Sequence, residues 1–138
     1  LDIHHGNGTQ DIFQGRKEIV YVSLHQHPLY PGTGLVSRDN CYNFPLPPET
    51  GGETWLGLIR TEVRKIIRLF SPGALGISLG LDTLSTDPLG GWNISTSDFM
   101  RLGEEIASWK LPSFGVLEGG YGPETGTAFK NFINGWLE

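Results

Sequence analysis

Asp2 and His4 stand two residues apart in the opening stretch DIHHGNG. If that stretch is extended, both side chains leave the same face and can converge on one ion. A carboxylate oxygen with an imidazole nitrogen suits zinc or another first-row metal; a surface aspartate beside a hydrogen-bonded histidine is the plainer alternative. The glycines of HHGNG allow a sharp turn and a close approach of backbone to a bound group. Asp82, in SLGLDTLSTDPLGG, follows a run of small apolar residues. A carboxylate at the end of a buried strand needs a partner, which a metal, an arginine or a helix N-terminus would supply. Tyr121 sits among glycines in LEGGYG. Its phenol is either a turn side chain packed on a neighbouring loop or a hydrogen-bond donor to a carbonyl oxygen in a pocket.

The elements that must position these groups are legible from periodicity. EIVYVSL (18–24), ALGISLG (74–80) and SFGVLEGG (113–120) read as strands buried on both faces. Over 53–70, Trp55, Leu58, Ile59, Val63, Ile66, Ile67 and Phe70 follow a helical period, with Arg60, Glu62, Arg64, Lys65 and Arg68 on the wet side. A second helix is expected from Ser97 to Trp109, with Phe99, Leu102, Ile106 and Trp109 inward. A third begins near Thr125 and turns Phe129, Phe132, Ile133 and Trp136 inward. This alternation predicts an α/β fold, an open, mostly parallel sheet with helices on both faces. Ligand sites in such sheets lie beyond the carboxyl ends of the strands. Asp2 and His4, the loop HQHPLYPGTG, Asp82 and GGYG all fall there.

Composition narrows the function. At 138 residues with 38% hydrophobic content, the chain has material for one packed core. A net charge of -5 and a pI near 5.3 leave no basic footprint for nucleic acid or anionic lipid. No apolar run reaches the roughly 18 to 20 residues of a membrane helix. The single cysteine, Cys41, excludes an internal disulfide and fits a reducing compartment, so the expected location is the cytoplasm, or also the nucleus in a eukaryote.

Taken together and in order, DIHHGNGTQDIF, VSLHQHPLYPGTG, GLDTLSTDPLGG and LEGGYG resemble the carboxyl-terminal half of the zinc-dependent histone deacetylase family, in the flavour of class II, bacterial deacetylase-like and acetylpolyamine amidohydrolase members. The resemblance implies an arginase/deacetylase-like sheet of which this chain is a partial domain. It also implies that Asp2, His4 and Asp82 are zinc ligands and that Tyr121 polarises the acetyl carbonyl. Asn7 matches a position that orients a catalytic histidine. Gly119 and Gly120 match the lining of an acyl-lysine channel, and Tyr30 an aromatic channel wall. Ser23 and Leu24 match a potassium site, while Phe13, Ile19 and Tyr42 match a second monovalent-cation site. The implied substrate is an acetylated lysine peptide or an acetylpolyamine; oligomeric state is not implied.

The remaining polar residues have plainer expectations. His5 should point away from His4 and take a core hydrogen bond. His25 and His27 are expected to be loop or structural histidines, Asp87 before Pro88 a turn residue, and Trp92 packing beneath a loop or a pocket rim. In the family a tandem histidine pair lies well upstream of the Asp-x-His motif, and this chain holds no counterpart. It is therefore expected to be part of a longer catalytic domain, inactive alone, with an uncovered sheet edge. A noncatalytic domain that binds acetyl-lysine is the alternative from another class, and a dinuclear arginase-like enzyme the weaker competitor within the fold.

Overall fold

The structure, a computed structural model, describes residues 1–137. An extended entry leads into a short helix α1 (Asn7–Phe13), then strand β1 (Tyr21–Gln26) and strand β2 (Cys41–Leu46). A helical segment follows, made of α2 (Gly52–Leu58), a π-helical turn (Ile59–Val63) and α3 (Arg64–Phe70). Strand β3 (Leu75–Leu79), helix α4 (Thr96–Ser108), strand β4 (Ser113–Leu117) and helix α5 (Thr125–Leu137) complete the order. No helix among the described residues is long and apolar enough to cross a membrane.

The three expected strands and three expected helices are present, and two elements are additions. Strand β2 contains Asn43 and Pro45, which mask it in a periodicity reading; it pairs parallel with β1, placing Pro45 opposite His25 on a ladder with no strand on its other side among the described residues. Proline removes a ladder donor and is tolerated at such an edge. Helix α1 grows from the glycine-containing stretch expected to turn, with Gly6 as its N-cap and no buried residue. The π turn interrupts the single amphipathic helix expected over 53–70. It falls where Ile59 and Val63 still face the core, so the buried stripe continues across it.

Four strands form two parallel pairs, β1 with β2 and β3 with β4. Between β1 and β3 runs an apolar groove of about 530 Å³, lined by Val20, Val22, Val63, Leu75, Ile77 and Phe114 among others. The expectation of strands buried on both faces fails for β3, where exposed Gly76 and Ser78 alternate with buried Ile77 and Leu79, and for β4. In β4, Phe114, Val116 and Leu117 are each more than half exposed, because among the described residues only β3 flanks this strand and α5 covers it in part, with Trp136 near Gly115.

The core gathers Ile3, Leu24, Trp55, Leu56, Leu79, Leu84, Trp92, Ile94, Phe99 and Phe132, all at most 2% exposed. Helix α4 starts with a reciprocal cap: Ser95 N–H donates to Asp98 Oδ2 at 2.9 Å, and Asp98 N–H donates to Ser95 Oγ at 3.4 Å. Glu105 of α4 binds Arg60 and Arg64 at 3.4 and 3.3 Å and accepts from Trp109 Nε1 at 2.8 Å, tying the first helical segment to α4. Helices α4 and α5 pack closely at Gly103 and Gly135, where a Cβ would collide with Phe132 O and Met100 O respectively.

Candidate metal centre

The entry segment lies across the carboxyl ends of the strands, pinned where Gln26 N–H donates to Ile3 O at 2.8 Å. Ile3 is fully buried, so its neighbours Asp2 and His4 turn the other way, together. His4 Nδ1 lies 2.9 Å from Asp2 Oδ1 and 3.1 Å from Asp82 Oδ2. Asp82 arrives from the loop after β3 and is wholly buried. One donor atom from each of these residues lies within 4.8 Å of the others. The three expected ligands are thus brought together, and no other acidic, histidine or cysteine side chain joins them among the described residues.

Each carboxylate is held by backbone. Asp82 Oδ1 accepts from Ile3 N–H at 3.0 Å. Asp2 accepts from His4 N–H at 2.8 Å through Oδ1 and from Gly119 N–H at 3.1 Å through Oδ2. Burial, followed by the nearby Asp2 carboxylate, pushes the Asp82 carboxyl up to about 6. Burial also opposes ionisation of Asp2, but the amides of His4 and Gly119 and the His4 ring outweigh it, leaving its pKa below the ordinary carboxylate range. Two adjacent carboxylates in a largely dry site are a poor resting arrangement without a cation. Two carboxylate oxygens and one imidazole nitrogen brought this close fit a divalent first-row ion of the zinc type.

The glycines around the centre also make room for the ligands themselves. A Cβ on Gly119 would collide with Asp82 Oδ2 and lie 2.7 Å from Asp82 Cγ and 3.1 Å from Asp2 Oδ2. Gly80 stands equally close to the Asp2 side chain. These positions are bare so that the carboxylates can approach. Gly120 has φ +139°, and a Cβ there would lie 2.8 Å from Leu81 Cβ. Beyond it, Tyr121 is 64% exposed, on the rim of the same end of the sheet.

The other expected residues are distributed as follows. Asn7 is exposed at the first turn of α1, and its side chain makes no hydrogen bond among the described residues. Tyr30 is 80% exposed, in the loop after β1. Ser23 and Leu24 are buried in β1, with Ser23 Oγ 3.0 Å from His25 Nδ1. The carbonyls of Phe13 and Ile19 are drawn together by Asn40 Nδ2, which donates to both at 2.8 and 2.9 Å; Tyr42 lies on β2.

His5 is buried as expected, with Nδ1 at 2.7 Å from Thr33 Oγ1 and Nε2 at 2.8 Å from Gln10 Oε1. His25 belongs to β1 and not to the loop. Burial, then the adjacent His5 ring 4.7 Å away, holds its pKa down at about 4. Trp92 packs beneath the loop, 1% exposed, donating to Pro47 O at 3.1 Å. Asp87 exceeds its expected turn role. Its Oδ1 accepts from Leu89 N–H at 2.9 Å, while Oδ2 accepts from Tyr121 N–H at 2.6 Å and Gly122 N–H at 3.1 Å. Nothing in the sequence links Asp87 to residues that follow another strand, so spacing could not reveal it.

Residues 1–134 match the family described as the histone deacetylase domain. The chain belongs to the histone deacetylase family. It is 35% identical to acetylpolyamine amidohydrolase 1 of Pseudomonas aeruginosa across 99% of its own length and 42% of that protein's. The crystal structure of acetylpolyamine aminohydrolase from Burkholderia pseudomallei superposes with a TM-score of 0.89 at 31% identity, covering 98% of this chain and 42% of the other. The histone deacetylase Clr3 gives a TM-score of 0.90 at 26% identity, over 99% of this chain and 25% of the other. This deacetylase-family chain therefore carries the family's α/β fold while spanning well under half the length of these relatives.

Proposed function

We propose that this segment is the carboxyl-terminal part of a single deacetylase catalytic domain that hydrolyses acetylated amines, either acetyl-lysine or acetylpolyamines. The observation that carries the reading is the convergence of Asp2, His4 and Asp82, from segments 78 residues apart, on one small volume. A zinc ion held there supplies Lewis acidity toward a water and an amide carbonyl. The protein groups do the rest of the work in this segment. The amides of Ile3, His4 and Gly119 hold the two carboxylates in place before any ion arrives. With only these three side chains to hold it, a zinc ion would keep a further position for water or substrate. Tyr121 donates its phenolic hydrogen to the acyl oxygen as negative charge develops there.

Proton transfer between water and the departing amine would fall to a tandem histidine pair outside this segment, with exposed Asn7 proposed to orient one of its members. Tyr30, with Gly119 and Gly120, borders the approach of the acyl chain. The main-chain oxygens near Ser23 and Leu24 are proposed to hold potassium, with a second monovalent cation near Phe13, Ile19 and Tyr42. The acetylpolyamine amidohydrolase relatives support a small cationic amine product, and the chain's acidic balance tolerates one. The absence of further carboxylates at the centre, among the described residues, favours one ion over an arginase-like pair.

The direct test is acetate release from N-acetylputrescine and from an acetyl-lysine peptide by the full-length protein containing this segment. Turnover of at least one, lost on removal of zinc and restored by its return, is the expected result. Binding of either substrate without turnover by zinc-loaded protein would favour the noncatalytic reading instead.

A further inference from the structure

Asp87 is only 5% exposed, yet its carboxylate is far from idle. It belongs to the loop that carries Asp82 out of β3, and two of the three groups it binds belong to the loop that follows β4. Three backbone N–H groups point at its two oxygens: Leu89 at Oδ1, and Tyr121 and Gly122 at Oδ2. Buried carboxylate charge is tolerated when it is compensated in this way, and bonds to an ionised acceptor are stronger than neutral ones. The surroundings leave the two loops little freedom to slide. A Cβ on Gly122 would lie 2.8 Å from Thr86 O, so backbone meets backbone there. Thr86 Oγ1 also donates to Glu124 Oε2 at 3.0 Å, and Leu81 N–H donates to Gly119 O at 2.7 Å nearer the ligands.

We propose that Asp87 is a positioning residue that fixes the backbone of Tyr121 relative to Asp82, and so sets where the phenol meets the acyl oxygen. The inference rests on the reading of Tyr121 as that donor. Asparagine is nearly the same shape but has one acceptor oxygen. Whichever way its amide is turned, at least one of the three N–H groups faces an NH₂ group. Asp87→Asn should therefore loosen the tyrosine loop without emptying the space that the side chain fills.

The test uses the full-length protein with N-acetylputrescine and an acetyl-lysine peptide. Tyr121→Phe should lower kcat by about a hundredfold, as loss of an oxyanion donor does. Asp87→Asn should lower kcat by about ten- to a hundredfold through misplacement of that donor, with KM changed by less than about threefold and zinc content retained. In the Tyr121→Phe background, Asp87→Asn should cost less than about a further twofold, because the two act as one unit. Gly122→Ala keeps both side chains but forces the loop away from Thr86; it should reproduce the loss and its dependence on Tyr121, and it carries the test if Asp87→Asn does not fold. Wild-type kcat in both loop variants, or equal losses with and without the tyrosine hydroxyl, would overturn the positioning role. A Tyr121→Phe enzyme with unchanged kcat would instead overturn the underlying reading of the tyrosine.

Discussion

A methyl group at residue 119 would stand against both carboxylates of the centre, 2.7 Å from Asp82 Cγ. Gly119→Ala is therefore expected to cost about 1–3 kcal/mol of local strain, felt mainly as weaker zinc retention in the full-length protein. Dialysis against a graded chelator series reads this directly, and unchanged retention would show that the site relaxes freely around the methyl. At this scale spacing made Asp2, His4 and Asp82 candidates with plainer alternatives open, and only the resemblance to the deacetylase family joined them into one ligand set, which the structure brings together. The reason for the glycines was not legible. Their nearest neighbours, Asp2 and Asp82, are remote in sequence, and a missing Cβ is explained only by what lies opposite it. The same holds for Asp87, whose local turn to Leu89 concealed its bonds to Tyr121 and Gly122.

The helices α4 and α5 illustrate how an element is set by two kinds of information. Phe99, Leu102 and Ile106 are buried as the helical period predicts, and Ser95 with Asp98 marks the start of α4. The interhelical distance, however, depends on Gly103 and Gly135, which carry no periodic signal but leave no room for a Cβ. Gly103→Ala should destabilise the full-length protein by roughly 1–3 kcal/mol through overpacking, read as a lower urea midpoint at unchanged slope. A neutral or stabilising result, as the higher helix propensity of alanine alone would give, would contradict this packing. Strand β2 and helix α1 escaped the sequence reading for related reasons: proline and asparagine mask an edge strand, and glycines mask a helix start. In both, pairing or capping by distant chain outweighs local propensity.

Across the whole molecule, the two parallel strand pairs and the groove between them leave Phe114, Val116 and Leu117 uncovered. An exposed apolar strand edge is a template for association. The 138-residue chain alone is expected to self-associate with rising concentration in sedimentation velocity, whereas the full-length protein is not expected to do so through this face; a dilution-stable monomer of the short chain would contradict the expectation. The α/β class and the parallel pairing of β3 with β4 followed from the alternation of strands and helices, whereas the pairing of β1 with the unforeseen β2 did not. The division into two pairs did not, because local sequence does not say which strands become neighbours. The central claim, that three side chains from two distant segments build one metal centre, is tested most directly by zinc content. After exhaustive dialysis, the full-length protein should retain about one zinc per chain, and Asp82→Asn should retain less than about a tenth of that under the same conditions. Equal zinc in the two proteins, or none in the wild type after zinc loading, would contradict the account.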